Sequence, residues 1–262
     1  MGEAFITRRG GTGGGGGILT GTTPPSASLG NDGDVYKQTF PIPASINFVS
    51  DLTSSGTQYI NTGIIATEGT DVVCDLTYRG NDFIVGNRTG SATAATKSLM
   101  VTGTGSGLSI YKSQTSGTIA TYATSATSGN RYKSAVRTFK SGSAKFWNLF
   151  PVLGVCTGVK TGTFTADYPQ ALFGCFQGST VTKASSCTLH RVTYNQDGVP
   201  SHDYLPALDS NNVACMWDNV SQEYVYNDGT GVFAYDSVLS TPPAELDPVY
   251  YVKLNGAWEI IA

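Results

Sequence analysis

The chain has 262 residues, of which 13% are charged, 11% are aromatic and 32 are glycine. A disordered chain would carry more charge and fewer aromatic residues, and the net charge of −3 disfavours a nucleic-acid-binding surface, which is usually basic. No stretch approaches the roughly 20 apolar residues that span a bilayer, and glycine follows Arg8 and Arg9 where a signal peptide would have an apolar region. We therefore expect a globular protein that is made in a cytoplasm without export and does not insert into membranes.

The N-terminal segment is dominated by glycine, since residues 10–17 contain only glycine apart from Thr12. Glycine loses more backbone entropy on ordering than any other residue, so this segment cannot specify one conformation alone. It is either a flexible linker or a segment that orders only against other subunits. We assign residues 1–23 to an extended, glycine-rich N-terminal arm.

The two ends of the chain carry matching strand signals. Near the C-terminus, β-branched and aromatic runs flank Asn255 and Gly256, and an Asn-Gly pair favours a type I′ hairpin turn. Residues 29–39 combine a polar, glycine-rich turn with a short strand. Because a lone hairpin is only marginally stable in water, the two ends are predicted to join in one structure.

This pairing predicts a split architecture. Residues 24–40 and 247–262 form a small β-hairpin module, and residues 41–246 form a domain inserted into it. The proline cluster at 41–43 and the prolines at 242–243 and 248 mark the two crossings.

The insert is a series of short apolar runs separated by Gly, Asn, Asp or Pro. In residues 71–78 the even positions are apolar and most odd positions are polar, which indicates a strand with one buried face. No segment shows helix caps together with apolar residues at helical spacing. Many short strands with regular turn signals predict an all-β sandwich or barrel. The other predicted strands lie at 108–111, 132–139, 145–150, 171–176, 186–194, 213–217, 224–226 and 231–233.

The five cysteines are widely spaced and include no Cys-x-x-Cys pair. This pattern disfavours a zinc site or a disulfide framework, and cysteine is among the residue types most often buried. We therefore expect reduced, buried thiols at Cys74, Cys156, Cys175, Cys187 and Cys215.

The two ends resemble a small module of bacteriophage fibre and tail proteins. The likeness rests on residues 24–36, which read PPSASLGNDGDVY, and on residues 249–258, which read VYYVKLNGAW. Residues 1–11 are similar to the openings of phage tail-region proteins. In those proteins the two halves of the module usually lie close together in sequence.

The insert resembles the concanavalin A-like and laminin-G-like jelly-roll sandwiches. The likeness rests on residues 58–64, on the Phe-Gly strands at 83–88 and 172–174, and above all on the ending at 204–233. Asn212 and Cys215 stand where glycine is common in that ending. The resemblance implies a concanavalin A-like jelly-roll sandwich inserted into the small module.

Groups for catalysis are scarce in the sequence. The two histidines are His190, in the middle of a predicted strand and expected to be structural, and His202, close to Asp197 and Asp203. No nucleophile motif accompanies them, and the glutamates form no pair of the kind that glycosidases use. We expect no catalytic residues, which makes a glycan hydrolase the least favoured function.

Sugar binding would need amides, carboxylates and an aromatic ring in a shallow groove. The candidate ligand-binding residues are Asn87, Arg88, Tyr168, Asp218, Asn219 and Asp228. Trp147 and Trp217 are expected in the core, because large aromatics dominate sandwich interiors. No cofactor is certain.

Calcium is the one cofactor that the resemblance suggests. Laminin-G-like domains often bind Ca²⁺ at a sandwich rim, and Asn81 and Asp82 are the candidate ligands here. The alternative, which we favour, is that loop Asn and Asp residues serve only to make turns.

The resemblances together imply a virion appendage of a bacteriophage, either a head fibre or a tail fibre. The N-terminal arm would bind other virion proteins, and the sandwich would bind host cell-surface carbohydrate during adsorption. Fibres of this kind are usually homotrimers, and nucleic acid is not an expected partner. The alternative is a structural decoration protein of the virion that binds no ligand.

Overall fold

The computed structural model describes residues 17–80, 83–89, 97–104, 107–114, 117–138, 143–150, 155–159 and 165–261. These residues divide into two compact units. One unit, the end unit, combines the residues up to Ala44 with those from Pro242 onward. The other unit spans Ser45–Thr241. The predicted limits of the insert, 41 and 246, lie a few residues outside the second unit.

The described residues form strands and no helix, which confirms the all-β fold class. The strands are β1 (Ile18–Gly21), β2 (Val35–Gln38), β3 (Asn47–Phe48), β4 (Leu52–Thr53), β5 (Ile60–Asn61), β6 (Thr70–Thr77), β7 (Phe83–Arg88), β8 (Ser98–Thr104), β9 (Gly107–Gln114), β10 (Gly117–Ser125), β11 (Arg131–Thr138), β12 (Ser143–Phe150), β13 (Val155–Val159), β14 (Ala171–Leu172), β15 (Gly174–Gln177), β16 (Thr180–Ala184), β17 (Thr188–Gln196), β18 (Val199–Leu208), β19 (Ala214–Asp218), β20 (Glu223–Val225), β21 (Val249–Leu254) and β22 (Ala257–Ile261).

The described strands of the end unit form a four-stranded sheet in the order β1-β2-β21-β22. Strand β2 pairs antiparallel with β21, so that Tyr36 lies opposite Tyr251. The predicted hairpin is confirmed, because β21 and β22 pair directly and both turn residues, Asn255 and Gly256, have positive φ angles of 51° and 80°. Positive φ at both central residues is the signature of the type I′ turn.

The boundary of the N-terminal arm needs a correction. Residues 18–21, which the sequence assigned to the arm, form β1 and pair in parallel with β2. Leu19 is buried in this sheet at 4% exposure. The preceding glycines obscured a short strand whose alternate side chain contributes to the core of the end unit. The predicted arm up to residue 16 lies outside the described residues.

The core of the end unit combines aromatic rings with a buried lysine. The ring of Tyr36 contacts those of Tyr251 and Trp258 edge-on, at centroid distances of 6.1 and 5.9 Å. Lys253 is 6% exposed, and its Nζ donates to the carbonyl oxygens of Ala27, Leu29 and Gly30 at 2.8, 2.8 and 3.1 Å. This ammonium group therefore holds the chain segment before β2 against β21.

The second unit is a sandwich of two described sheets. One has ten strands, in the order β13-β12-β11-β6-β17-β18-β19-β20 with β3 and β4 attached to β18 and β17. The other has eight, in the order β10-β9-β8-β7-β14-β5 with β15 and β16 attached beside β7. The finer assignment to the concanavalin A-like jelly rolls stays a prediction.

The core of the sandwich takes alternate residues from both sheets. The predicted alternation in β6 is confirmed, because Val72, Cys74 and Leu76 are fully buried while their neighbours are partly exposed. The ten-stranded sheet also buries Leu189, Val192, Tyr194 and Tyr204, and the eight-stranded sheet contributes Ile60, Ile84, Leu99, Val101 and Leu172.

Two predicted strands differ from the structure. The strand at 171–176 is interrupted at Phe173, whose φ of 59° separates β14 from β15. Residues 231–233 form no strand, and the ladder there is reduced to an isolated bridge between Thr53 and Ala234. The apolar residues were recognised correctly, since Phe173 and Phe233 are both buried and their ring centroids lie 4.5 Å apart. The glycines on either side of Thr230 favour a loop over a ladder.

The thiols whose side chains are described are free and buried, as predicted: Cys74, Cys175, Cys187 and Cys215. Burial raises the pKa of Cys175 and of Cys215 to about 12. These thiols therefore stay protonated and unreactive at neutral pH. The side chain of Cys156 lies outside the described set.

Gly86 in β7 is expected to tolerate no side chain. Its φ is +149°, and a Cβ there would meet the Cβ of Met100 and approach the carbonyl oxygen of Leu99 to 2.6 Å. We expect Gly86→Ala to lower the free energy of unfolding by about 3 kcal/mol, because β8 would have to move away. Denaturant unfolding measures this change.

Gly178 supplies the matched control for this substitution. Its φ is +71°, but a Cβ there would meet nothing within 4 Å. Gly178→Ala should cost only about 1 kcal/mol, the backbone strain alone. Equal losses for the two variants would show that crowding against β8 is not what requires glycine at position 86.

Candidate functional site

The candidate site lies on the outer face of the ten-stranded sheet, at its β18-β19-β20 edge. These strands are antiparallel, with Leu205 opposite Trp217 and Trp217 opposite Tyr224. Side chains alternate between faces along a strand, and Met216 points into the sandwich core. Its neighbours Cys215 and Trp217 therefore point to the opposite, outer face.

Three aromatic side chains and a carboxylate meet on this face. We call this group, Trp217, Tyr224, Tyr226 and Asp209, the aromatic patch. The ring centroids of Trp217 and Tyr224 lie 5.0 Å apart, and those of Tyr224 and Tyr226 lie 6.3 Å apart. Tyr226 is 46% exposed, whereas Trp217 is 7% exposed. The patch thus presents a solvent-facing tyrosine ring beside a shielded indole.

Asp209 anchors one end of the aromatic patch. Its Oδ1 accepts hydrogen bonds from the backbone N–H groups of Asn211 and Val213 at 2.8 and 2.9 Å, and its Oδ2 lies 3.3 Å from the Tyr226 hydroxyl. The hydrogen bond from Val213 lowers the pKa of Asp209; burial opposes this, while the Asn211 and Tyr226 contacts lower the pKa further. The carboxylate is therefore ionised at neutral pH.

Trp217 carries an unused donor. Among the described atoms, its Nε1 is buried and has no hydrogen-bond partner. An unpaired buried donor costs free energy, so a polar ligand atom or a water molecule that reached it would be stabilised. The sequence predicted Trp217 as a core residue; it is buried, but on the face opposite the main core.

The predicted residues Asn87 and Tyr168 lie together at the eight-stranded sheet. Asn87 is fully buried, donates to the Tyr168 carbonyl at 2.9 Å, and accepts from the Leu99 N–H and from the Gln170 side chain. Tyr168 thus meets Asn87 through its backbone and not through its ring. A ligand could contact the Asn87 amide only if this network opened.

Arg88 follows Asn87 and lies on the other face of β7. Its Nη2 donates to Gln177 at 2.7 Å, and its guanidinium carbon lies 4.7 Å from the Phe83 ring centroid. Its Nε is buried without a partner among the described atoms. Arg88 therefore stays a candidate contact, at a place separate from the aromatic patch.

Asp218 and Asn219 follow one another at the end of β19, and both are buried. The Asp218 carboxylate contacts His202 Nδ1 at 2.7 Å and accepts from the Asp203 and Val220 N–H groups and the Ser221 hydroxyl. Burial raises the pKa of Asp218, but these partners, His202 foremost, lower it more, so the net shift is downward. Its hydrogen bonds to Val220 and Ser221 stabilise the turn between β19 and β20.

Asp228 is exposed on the loop that follows β20. Its Oδ2 accepts from the Asn61 N–H at 2.7 Å, and its own N–H donates to the Tyr59 carbonyl. The predicted ligand residues therefore divide among the eight-stranded sheet, the β19–β20 turn and this loop.

The predicted calcium ligands, Asn81 and Asp82, lie outside the described residues. Within the ranges that the structure describes, no cluster of three or more His, Cys, Asp or Glu side chains could hold a metal ion. The calcium site stays a prediction. Within those same ranges, no helix is long and apolar enough to cross a membrane.

The histidines are held by their neighbours. His190 has Nδ1 at 2.9 Å from the Ser50 carbonyl and Nε2 at 2.9 Å from the Thr77 hydroxyl, which agrees with a structural role. His202 stacks on Tyr204 with a centroid distance of 5.6 Å.

The sequence placed Tyr224 and Tyr226 in the segment 218–228, whose loops were candidates for sugar binding, but named neither tyrosine as a site residue, and it did not point to Asp209. The Tyr-Val-Tyr alternation at 224–226 placed two tyrosines on one face of a strand, next to a Trp-containing strand. This repeated aromatic face was the available signal.

No protein-family model matches the sequence, and no curated protein matches it. A solved structure of a candidate carbohydrate-binding protein from Bacteroides ovatus is similar in fold, with a TM-score of 0.46 and 10% sequence identity. The alignment covers 80% of this chain and 72% of that one.

Proposed function

We propose that the sandwich binds carbohydrate and that the aromatic patch is the binding site. The observation that carries this proposal is the solvent-facing Tyr226 ring beside Tyr224, Trp217 and the Asp209 carboxylate. Sugar rings have apolar C–H faces and polar rims, so a tyrosine face next to hydrogen-bonding groups suits them.

The biological setting is also a proposal. The protein would act as a bacteriophage virion appendage, a head fibre or tail fibre, that binds host surface glycans during adsorption. The support is the resemblance of residues 24–36 and 249–258 to the phage fibre module. Immunogold labelling of phage particles would show whether the protein is part of the virion, and particles without label would contradict this setting.

Self-association is a further part of the proposal. The last two strands of the end unit expose Tyr250, Leu254, Ile260 and Ile261, each by more than 40%. Exposed apolar area of this kind favours burial by another chain, here a second and third copy in a homotrimer. Sedimentation equilibrium that gave a monomer at high concentration would contradict the trimer.

The main alternative is a decoration protein of the virion without a ligand. The same exposed apolar strands favour it, since they could pack on a neighbouring virion protein. It differs from the leading proposal in one respect, because it predicts no saturable glycan binding by the full chain.

Replacing Tyr226 tests the proposed site. We expect Tyr226→Ala to weaken glycan binding by up to about tenfold on a bacterial glycan array and in calorimetry, since a lost aromatic contact of about 0.5–1.5 kcal/mol corresponds to such a change. Stability should change little, because the ring is nearly half exposed.

Tyr235 provides the matched control, since it is 42% exposed and is not part of the aromatic patch. Tyr235→Ala should bind like the wild type. If both variants kept full binding, the aromatic patch would not be the site. If the wild type bound no glycan and no host cells, the decoration protein would be favoured.

A further inference from the structure

The aromatic patch contains a negative charge that stacking against a sugar ring does not require. Asp209 is only 7% exposed, and carboxylates are rarely buried unless they are paired. Its Oδ1 is occupied by two backbone N–H groups, which fix the position of the side chain. Its Oδ2 has the Tyr226 hydroxyl as its described partner, at the long distance of 3.3 Å.

The Oδ2 atom therefore has accepting capacity left. An ionised carboxylate offers about four lone-pair sites, and the described contacts of Asp209 use three. The carboxylates in the described ion pairs of the sandwich are Asp75, Asp167, Asp203 and Asp218, so Asp209 belongs to none of these pairs. Among the described side chains, no Lys, Arg or His neutralises it.

Like the Asp209 carboxylate, the aromatic rings around it favour a positively charged ligand. Tyr224 and Tyr226 stand beside the carboxylate, and the faces of aromatic rings attract cations. Burial raises the pKa of both tyrosines most, and Cys215 and Asp209 raise it further, so both tyrosines stay neutral donors at neutral pH. A carboxylate and aromatic faces together repel an anionic ligand and attract an ammonium group.

We infer that the aromatic patch selects glycans with a free, protonated amino group, such as glucosamine units, over N-acetylated or acidic sugars. The inference rests on the proposed function, because it names the class of sugar that the same site takes. The amino group would donate to Asp209 Oδ2, while the sugar ring lies against Tyr226. Replacement of the amine by an acetamide removes the positive charge, and a uronic acid places a carboxylate against Asp209.

The test compares three probes on the full chain by calorimetry: a glucosamine oligosaccharide, its fully N-acetylated counterpart of equal length, and an oligogalacturonate. We expect the glucosamine oligosaccharide to bind at least tenfold more tightly than the N-acetylated one, and the galacturonate to bind least. Raising the ionic strength should weaken the first interaction and leave the second unchanged, because salt screens the charge on the ligand amine.

Asp209→Asn should reduce the preference for the amine to about twofold or less. The matched control is Asp236→Asn, which removes a carboxylate from an exposed position in the loop after β20 and should keep the full preference. If Asp209→Asn does not fold, the salt dependence of glucosamine oligosaccharide binding to the wild type tests the role of the ligand's positive charge independently.

The outcomes separate the two proposals. Equal or tighter binding of the N-acetylated or acidic probe would overturn the inference and leave carbohydrate binding at the patch intact. Absence of binding to all three probes and to the glycan array would overturn the proposed function and this inference with it.

Discussion

Asp203→Asn is expected to lower the free energy of unfolding by about 3 kcal/mol, because it removes the buried carboxylate that pairs with the Arg191 charge. Asp203 is completely buried in β18, and Arg191 in β17 is 19% exposed. The guanidinium donates to both carboxylate oxygens at 2.7 Å, and the Thr193 hydroxyl adds a third hydrogen bond at 3.2 Å. Asparagine retains the shape but loses the charge and one acceptor. Urea unfolding measures the change.

A second ion pair on the same sheet supplies the control. Arg131 also forms a bidentate contact, with Asp75, at 2.7 and 2.9 Å, but Arg131 is 57% exposed. Water screens this pair, so Asp75→Asn should cost less than about 1 kcal/mol. Similar losses for the two variants would contradict the view that burial sets the importance of the Arg191–Asp203 pair.

Lys253→Met is expected to destabilise the end unit by about 4 kcal/mol. The substitution keeps most of the aliphatic chain but leaves three carbonyl oxygens, those of Ala27, Leu29 and Gly30, without their donor. Hydrogen bonds to a charged group contribute about 1.5–3 kcal/mol each, and a buried acceptor without a partner adds a desolvation cost. The segment before β2 should therefore detach from β21.

Hydrogen exchange localises this effect. Exchange in β2, β21 and β22 should accelerate strongly in Lys253→Met, while exchange in β6 and β17 of the sandwich should be unchanged, because the two units have separate cores. Lys37→Met on the neighbouring β2 is the control, since Lys37 is only partly buried and should be replaceable at little cost. Uniform acceleration throughout the chain would show that the end unit does not unfold by itself.

Local sequence patterns predicted those parts of the fold that depend on nearest neighbours. The alternation in residues 71–78 identified β6 and its buried face, and Asn255-Gly256 identified the terminal hairpin. Both signals follow from backbone geometry within a few residues. Strand β1 was missed because glycines precede it, and its pairing with β2 depends on residues far beyond that local window.

The candidate site was harder to predict, because residue type does not reveal which face of a sheet a side chain occupies. Trp217 has the hydrophobicity of a core residue, yet the register of β19 places it opposite the main core. Asn87 has the amide of a sugar-binding residue, but the fold brings Gln170 close to it, and the Gln170 side chain donates a hydrogen bond to the Asn87 amide oxygen. Asp209 carried no sequence signal of its own, because only the fold brings it to Tyr226.

The most direct test of the central claim is the NMR signal of the Trp217 indole N–H while a glycan that the array identifies is titrated into the full chain. Trp217→Phe assigns the signal. If carbohydrate binds at the aromatic patch, this resonance should shift in step with occupancy, while the indole signal of Trp258 in the end unit stays in place. A glycan that binds saturably without moving the Trp217 signal would contradict the proposed site.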